Sequence, residues 1–196
     1  VYPRQKQYDH VLVHGANLIA TRARIAFLIK LWLDGVRFNK LVFLTGARML
    51  DAKQEPLAAL EDKAQTILPV RPDWQFDAPM AYKTETDMTK LVYDQALLPA
   101  ELRSVPVQFV DAAPTVAADG TVKRPTTVDT LVTWLRGNPV PGTCLFISNQ
   151  PFVGYQDSIT RTVLQSAFTI ETVGFAIPAP YESVSLYLDS LARWLY

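Results

Sequence analysis

The sequence has one cysteine, Cys144, and two histidines, His10 and His14, among 196 residues. A lone cysteine forms no internal disulfide. Its place in the apolar run Thr143-Cys144-Leu145-Phe146-Ile147 reads as a buried, inert thiol, which leaves the redox compartment open. Both histidines sit beside one predicted strand, and no His/Cys cluster has zinc-ligand spacing. Net charge is also lacking: 19 Lys and Arg balance 19 Asp and Glu. Without a basic excess there is no broad stripe to neutralise nucleic-acid phosphates, although a local basic pocket stays open. No stretch reaches the roughly 18–20 consecutive apolar residues of a membrane span, and no charged n-region followed by an apolar h-region opens the chain. The first residue is Val1, not methionine, which points to a piece of a longer chain and leaves room for a removed anchor or signal. Neither a G-x-G-x-x-G fingerprint nor a P-loop is present, and no G-x-S-x-G elbow surrounds Ser148.

What is present suffices for one domain. About half of the residues, 49%, are hydrophobic, enough for a core without metal or disulfide staples. Strand and helix patterns alternate. Short apolar runs at 10–13, 41–44, 105–110, 145–147 and 172–176 predict five strands. Between them, Ile25, Leu28, Ile29, Trp32, Leu33 and Val36 make a wide helical stripe that stops near Gly35. A short helix is expected over 54–65, with Pro56 in its first turn. Thr84 and Asp87 have capping-box spacing for a third helix. A fourth starts near Thr126 or Thr127, a fifth covers about 155–168, and a last one carries Val184, Tyr187, Leu188, Leu191 and Leu195. Residues 66–82, rich in proline and aromatics, read as an irregular insertion, either a lid or binding loop or a packed surface flap. This order predicts an α/β fold: a Rossmann-like three-layer α/β/α sandwich on a mainly parallel sheet of about five strands.

In such sheets ligands bind beyond the carboxyl ends of the strands, which selects the loops at 14–24, 45–53, 111–127 and 148–161. The first holds His14-Gly15-Ala16-Asn17 and then Arg22 and Arg24. A glycine directly after a strand lets the backbone approach a ligand, and the helix start beyond it offers N–H groups to an anion. Two arginines at the positive end of a helix dipole are mildly unfavourable; they are either solvated or matched by a bound anion. The second loop repeats the pattern as Thr45-Gly46-Ala47-Arg48. The third brings Arg124, Thr126, Thr127 and Asp129, the threonines also serving as helix caps. The fourth is Ser148-Asn149-Gln150-Pro151-Phe152. Arginines among small donors suit a carboxylate, phosphate or sulfate group. The expected ligand-binding set is therefore His14, Gly15, Asn17, Arg22, Thr45, Gly46, Arg48, Thr127, Ser148 and Asn149. Arg22 and Arg48 would pair with the anion, and Asn17 and Asn149 would orient it. Glu85 is the candidate general acid or base, although a carboxylate in the first turn of a helix also has a plain dipole explanation.

The order of these segments resembles the SanA/ElyC/YdcF-like family of bacterial proteins over roughly residues 9–178. Val11-Leu12-Val13-His14-Gly15 with Arg22 is similar to the family's first strand, loop and helix arginine, and Leu33-Asp34-Gly35 to its helix end. Leu44-Thr45-Gly46 matches a second strand running into a Ser/Thr-Gly turn. Glu85 matches an acidic helix start, and Arg124-Pro125-Thr126-Thr127-Val128-Asp129 a Thr-containing one. Phe146-Ile147-Ser148-Asn149-Gln150-Pro151-Phe152 is similar to its strand ending in a polar, aromatic segment. Two departures stand out. Val153 and Gln156 occupy approximate places where the family often has a histidine and an arginine, and the 66–82 insertion is long. The resemblance implies a Rossmann-like fold, an association with the bacterial envelope, and for some relatives a nucleotide-like ligand such as S-adenosylmethionine. The leading expectation is a domain that binds a small anionic molecule. The rivals are a non-enzymatic module contacting a protein partner through Trp74 and Phe76, and a hydrolase using Ser148 with His14 as its base.

Overall fold

A computed structural model describes residues 1–76, 82–176 and 184–195. In chain order the elements are β1 (Gln7–His14), α1 (Leu18–Leu33), β2 (Arg37–Gly46), α2 (Leu57–Glu61), α3 (Glu85–Gln95), α4 (Ala100–Arg103), β3 (Val107–Ala112), β4 (Thr115–Val116), β5 (Val122–Lys123), α5 (Thr127–Arg136), β6 (Thr143–Asn149), α6 (Val153–Leu164), β7 (Thr169–Phe175) and α7 (Val184–Leu195). Five strands form one parallel sheet in the order β3-β2-β1-β6-β7. The fold is α/β, with helices on both faces, as the alternation of patterns predicts.

The central strands are apolar on consecutive residues because both faces are covered. Val11, Val13, Leu41, Phe43, Leu145 and Ile147 face the layer that holds α1 and α3. Leu12, Val42, Leu44, Cys144 and Phe146 face the layer of α5 and α6. Cys144 is fully buried, and burial pushes its thiol up to about 12, which fits an inert hydrophobe.

Local chemistry sets several helix ends. Asn17 caps α1 by accepting from the Ala20 amide. At its other end Gly35 has φ +91°, with the Gly35 amide on Trp32 O and the Val36 amide on Leu31 O. That is a Schellman stop. Thr84 with Asp87, and Thr126 with Asp129, form complete capping boxes at α3 and α5.

Three expectations need adjustment. The helix expected over 54–65 shrinks to α2, because Glu55 turns inward to Arg48 and the Gln65 side chain accepts the Ile67 and Leu68 amides. The loop at 111–124 contains the small antiparallel ribbon β4–β5, closed at Asp119-Gly120. The described part of the 66–82 insertion packs down as a flap. Leu68 is fully buried, Val70 bridges to Ala96, and Trp74 donates to Asp94 at the end of α3. Residues 77–81 of that insertion lie outside the described set.

Candidate functional site

Strand order reverses between β1 and β6. The chain runs outward from β1 to β2 and β3, then crosses back to β6 on the other side. The loops after β1 and β6 diverge there, which is where open sheets of this kind form a crevice. An open cleft of about 610 Å³ occupies this position. Its lining includes His14, Gly15, Ala16 and Asn17 after β1, Gly46 and Arg48 after β2, and Glu85 of α3. Arg124, Thr126 and Thr127 close another side, with Phe152, Tyr155 and Gln156 of α6 opposite and Asp189 and Arg193 of α7 at the rim. The volume is within the range of small-molecule sites.

Four helices begin at this wall. α1 contributes its cap Asn17, α3 its first residue Glu85, α5 Thr126 and Thr127, and α6 Phe152, at whose end no side chain provides a cap. Helix starts carry partial positive charge and free N–H groups. The charged side chains are mostly already paired. Arg48 holds Glu55 through two hydrogen bonds of 2.8 and 2.9 Å and reaches Glu85 at 3.4 Å. Arg193 pairs with Asp189 at 2.8 Å. Arg124 has no ion pair or side-chain hydrogen bond among the described residues, and it is exposed on the cleft.

Glu85 is buried, and burial raises its carboxyl to about 7 against the opposing pull of Arg48 and Arg24. A carboxyl that titrates near neutrality beside a cleft is suited to proton transfer. Its position explains Gly15. A Cβ there would stand 2.1 Å from Glu85 Oε1 and 2.8 Å from the Leu44 carbonyl oxygen. Gly46 is tight for a parallel reason, because a Cβ would meet Pro125 Cγ at 2.4 Å.

His14 ends β1, is 3% exposed and stacks on Phe146 with ring centroids 5.5 Å apart. Burial first, and then the charge of Arg24, push its pKa down to about 3, so the ring is a neutral imidazole at physiological pH. Arg24 lies behind the cleft, fully buried. It donates to the carbonyls of His14 (2.7 Å) and Gly15 (2.9 Å) and to Asn149 Oδ1 (2.8 Å). Its guanidinium thus ties the ends of β1 and β6 together. Burial lowers its pKa to about 10, which still leaves it charged.

The expected site residues divide. His14, Gly15, Asn17, Gly46, Arg48, Thr127 and Glu85 line the cleft. Arg22 does not. It is buried and donates to the Ala59 and Leu60 carbonyls, where it serves the end of α2. A residue in the second turn of α1 points there because its helical face looks away from the strand ends. Thr45 is also buried, donating to Val110 O and accepting from Thr86. Asn149 is occupied by Arg24.

Ser148 is fully buried, does not line the cleft, and donates to the Gln156 side chain rather than to His14. That arrangement removes the basis for a Ser148–His14 nucleophile. Trp74, the anchor expected for a protein contact, is 2% exposed, with its indole N–H on Asp94 and Phe76 packed against its ring. A side chain so enclosed offers no surface to a partner.

The site also contains residues outside the expected set. Arg24 stands in the right loop but acts as a brace. Glu55 comes from a segment whose helical pattern hides its inward turn. Asp189 and Arg193 are brought by α7, whose pattern marks a helix but not where that helix docks. Among the described residues no group of three or more His, Cys, Asp or Glu could hold a metal ion, and no helix is long and apolar enough to cross a membrane. Comparison with protein-family models, curated proteins and solved structures finds no significant match for the chain.

Proposed function

We propose that this protein binds a small anionic or nucleotide-like molecule in the cleft at the β1/β6 switch point, with Glu85 as an acid–base group. The observation that carries this reading is the convergence of the α1, α5 and α6 starts on one cleft lined also by Arg124, which has no ion pair among the described residues. Helix starts and a free guanidinium favour phosphate or carboxylate. Arg48 has a different task from the one its spacing suggests. Its charge is spent on Glu55 and Glu85, so it positions the acid and leaves the anion to Arg124.

The resemblance to the SanA/ElyC/YdcF-like family supports a nucleotide-like ligand, with S-adenosylmethionine among the candidates, and work in the bacterial envelope. A thermal-shift screen of nucleotides, S-adenosylmethionine and sugar phosphates identifies ligands, since binding to the native state raises apparent stability. With a hit in hand, Arg124→Ala is expected to weaken it by about tenfold or more in calorimetry, with the melting temperature of the free protein unchanged. Equal affinities for the two proteins would remove Arg124, and with it the anion reading.

A further inference from the structure

The last helix turns its apolar side away from the protein. Val184, Tyr187, Leu188, Leu191, Trp194 and Leu195 of α7 are all exposed, Val184 at 77% and Leu195 at 80%. Spaced by three and four residues, they share one face of the helix. Polar residues meet the body instead. Ser190 is buried and donates to the Pro151 carbonyl at 2.9 Å, while Asp189 and Arg193 reach the cleft rim. A surface helix that packs only on its own domain has the reverse arrangement, apolar inward and polar outward. The six side chains expose roughly 600 Å² or more of apolar surface, at or above the largest patch of an ordinary monomer. An apolar groove of about 230 Å³, lined by Val128, Ile159, Val163 and Trp194, continues the face onto α5 and α6.

We infer that this face binds a second copy of the chain, with the two α7 helices set against each other about a two-fold axis. A two-fold contact uses the same patch on both sides, so the patch must complement itself. This one does. Val184, Leu188, Leu191 and Leu195 follow at intervals of four, three and four residues, the spacing of the seam between paired helices. The positions flanking that seam, Ser185, Tyr187, Ala192 and Trp194, carry no charge, so two copies meet without like-charge repulsion. The whole chain is neutral as well, with 19 basic and 19 acidic residues. Two such faces bury roughly 1,200 Å², the lower end of a stable protein interface.

Lipid is the weaker occupant. Helices that lie on membranes are rich in Lys and Arg on the polar face, whereas α7 has one arginine, Arg193, paired with Asp189. Association would brace α7 and, with it, the Asp189–Arg193 pair at the rim of the cleft. The inference goes beyond the ligand reading and does not depend on it.

Sedimentation velocity of the whole chain from about 1 to 100 µM is expected to show the mass rising from monomer to dimer. Leu188→Glu and Leu191→Glu each place a charge in the seam. Each is expected to raise the dissociation constant of the dimer at least about a hundredfold, with the circular dichroism spectrum unchanged because both positions are exposed. Val116→Glu, at an exposed valine of the β4–β5 ribbon, is expected to leave the association unchanged. If one seam variant fails to fold, the other and the unsubstituted protein decide. A monomer at about 100 µM overturns the inference, as does a dimer that both seam variants leave intact. Co-sedimentation of a monomer with phosphatidylcholine–phosphatidylglycerol vesicles would assign the face to lipid and overturn it too.

Discussion

Glu85 and Gly15 constrain each other at the residue scale. The carboxyl occupies the space that any side chain at position 15 would need, and that same enclosure raises its pKa from 4.5 to about 7. The consequence for stability has a definite sign. Between pH 4.5 and 7 the folded protein keeps a proton that the unfolded chain releases, so stability falls as pH rises through that window. The loss amounts to about 3 kcal/mol at most for a shift of this size. Below 4.5 both states are protonated, and above 7 both are ionised, so this group adds no slope there. Glu85→Gln should lack the decline, while carboxylates held low, such as Asp87 and Asp129, titrate below the window in both proteins. Urea denaturation of the two across pH 4 to 8 measures the difference, and identical slopes would contradict the assignment. The acidic helix start was legible from the Thr84–Asp87 spacing. Its burial was not, because that depends on Gly15 and Leu44 arriving from two other strands.

At the scale of elements, local chemistry was legible wherever it closes on itself. The capping boxes at Thr84 and Thr126 and the stop at Gly35 each lie within a few residues of sequence. Gly35 has no atom within 4 Å of where a Cβ would stand, yet its φ of +91° is one that L residues rarely adopt. Gly35→Ala should therefore cost about 1 kcal/mol from backbone conformation alone. In urea this appears as a lower midpoint with an unchanged m-value. A changed m-value would mean that α1 loses more than its last turn. Elements whose limits depend on distant partners were harder to delimit. β7 starts at Thr169, three residues before its apolar pattern, because Thr169 pairs with Thr143 and donates to Gly142 O. At the sheet's edge the first three residues of this strand are exposed or only partly buried, so its start carries no continuous apolar run. α4 is one turn long, too short for periodicity to register.

For the molecule as a whole, Arg24 is the residue on which the cleft's shape most depends. It binds two carbonyls of one loop and the amide side chain of another across the β1/β6 switch point. Arg24→Leu would remove a donor from the His14 and Gly15 carbonyls and from Asn149 Oδ1, so a loss of about 3 kcal/mol or more is expected. Hydrogen exchange should show protection falling first at the ends of β1 and β6. Stability equal to the unsubstituted protein would show that the loops are held by other contacts. The sequence alone determined the alternation of elements, the two-faced apolar sheet, the helix caps and the location of a candidate site, a cleft at the strand ends. Those properties follow from periodicity and from interactions a few residues long. Only the tertiary structure decided which arginine faces the cleft and which is a brace. Arg22 and Arg24 are two residues apart on one helix, about 200° around its axis, and nothing local says which side meets Asn149. Likewise Arg48 needed Glu55 and Glu85 in place before its charge could be counted as spent, and Arg124 stood out as the cleft's unpaired arginine among the described residues only by that comparison.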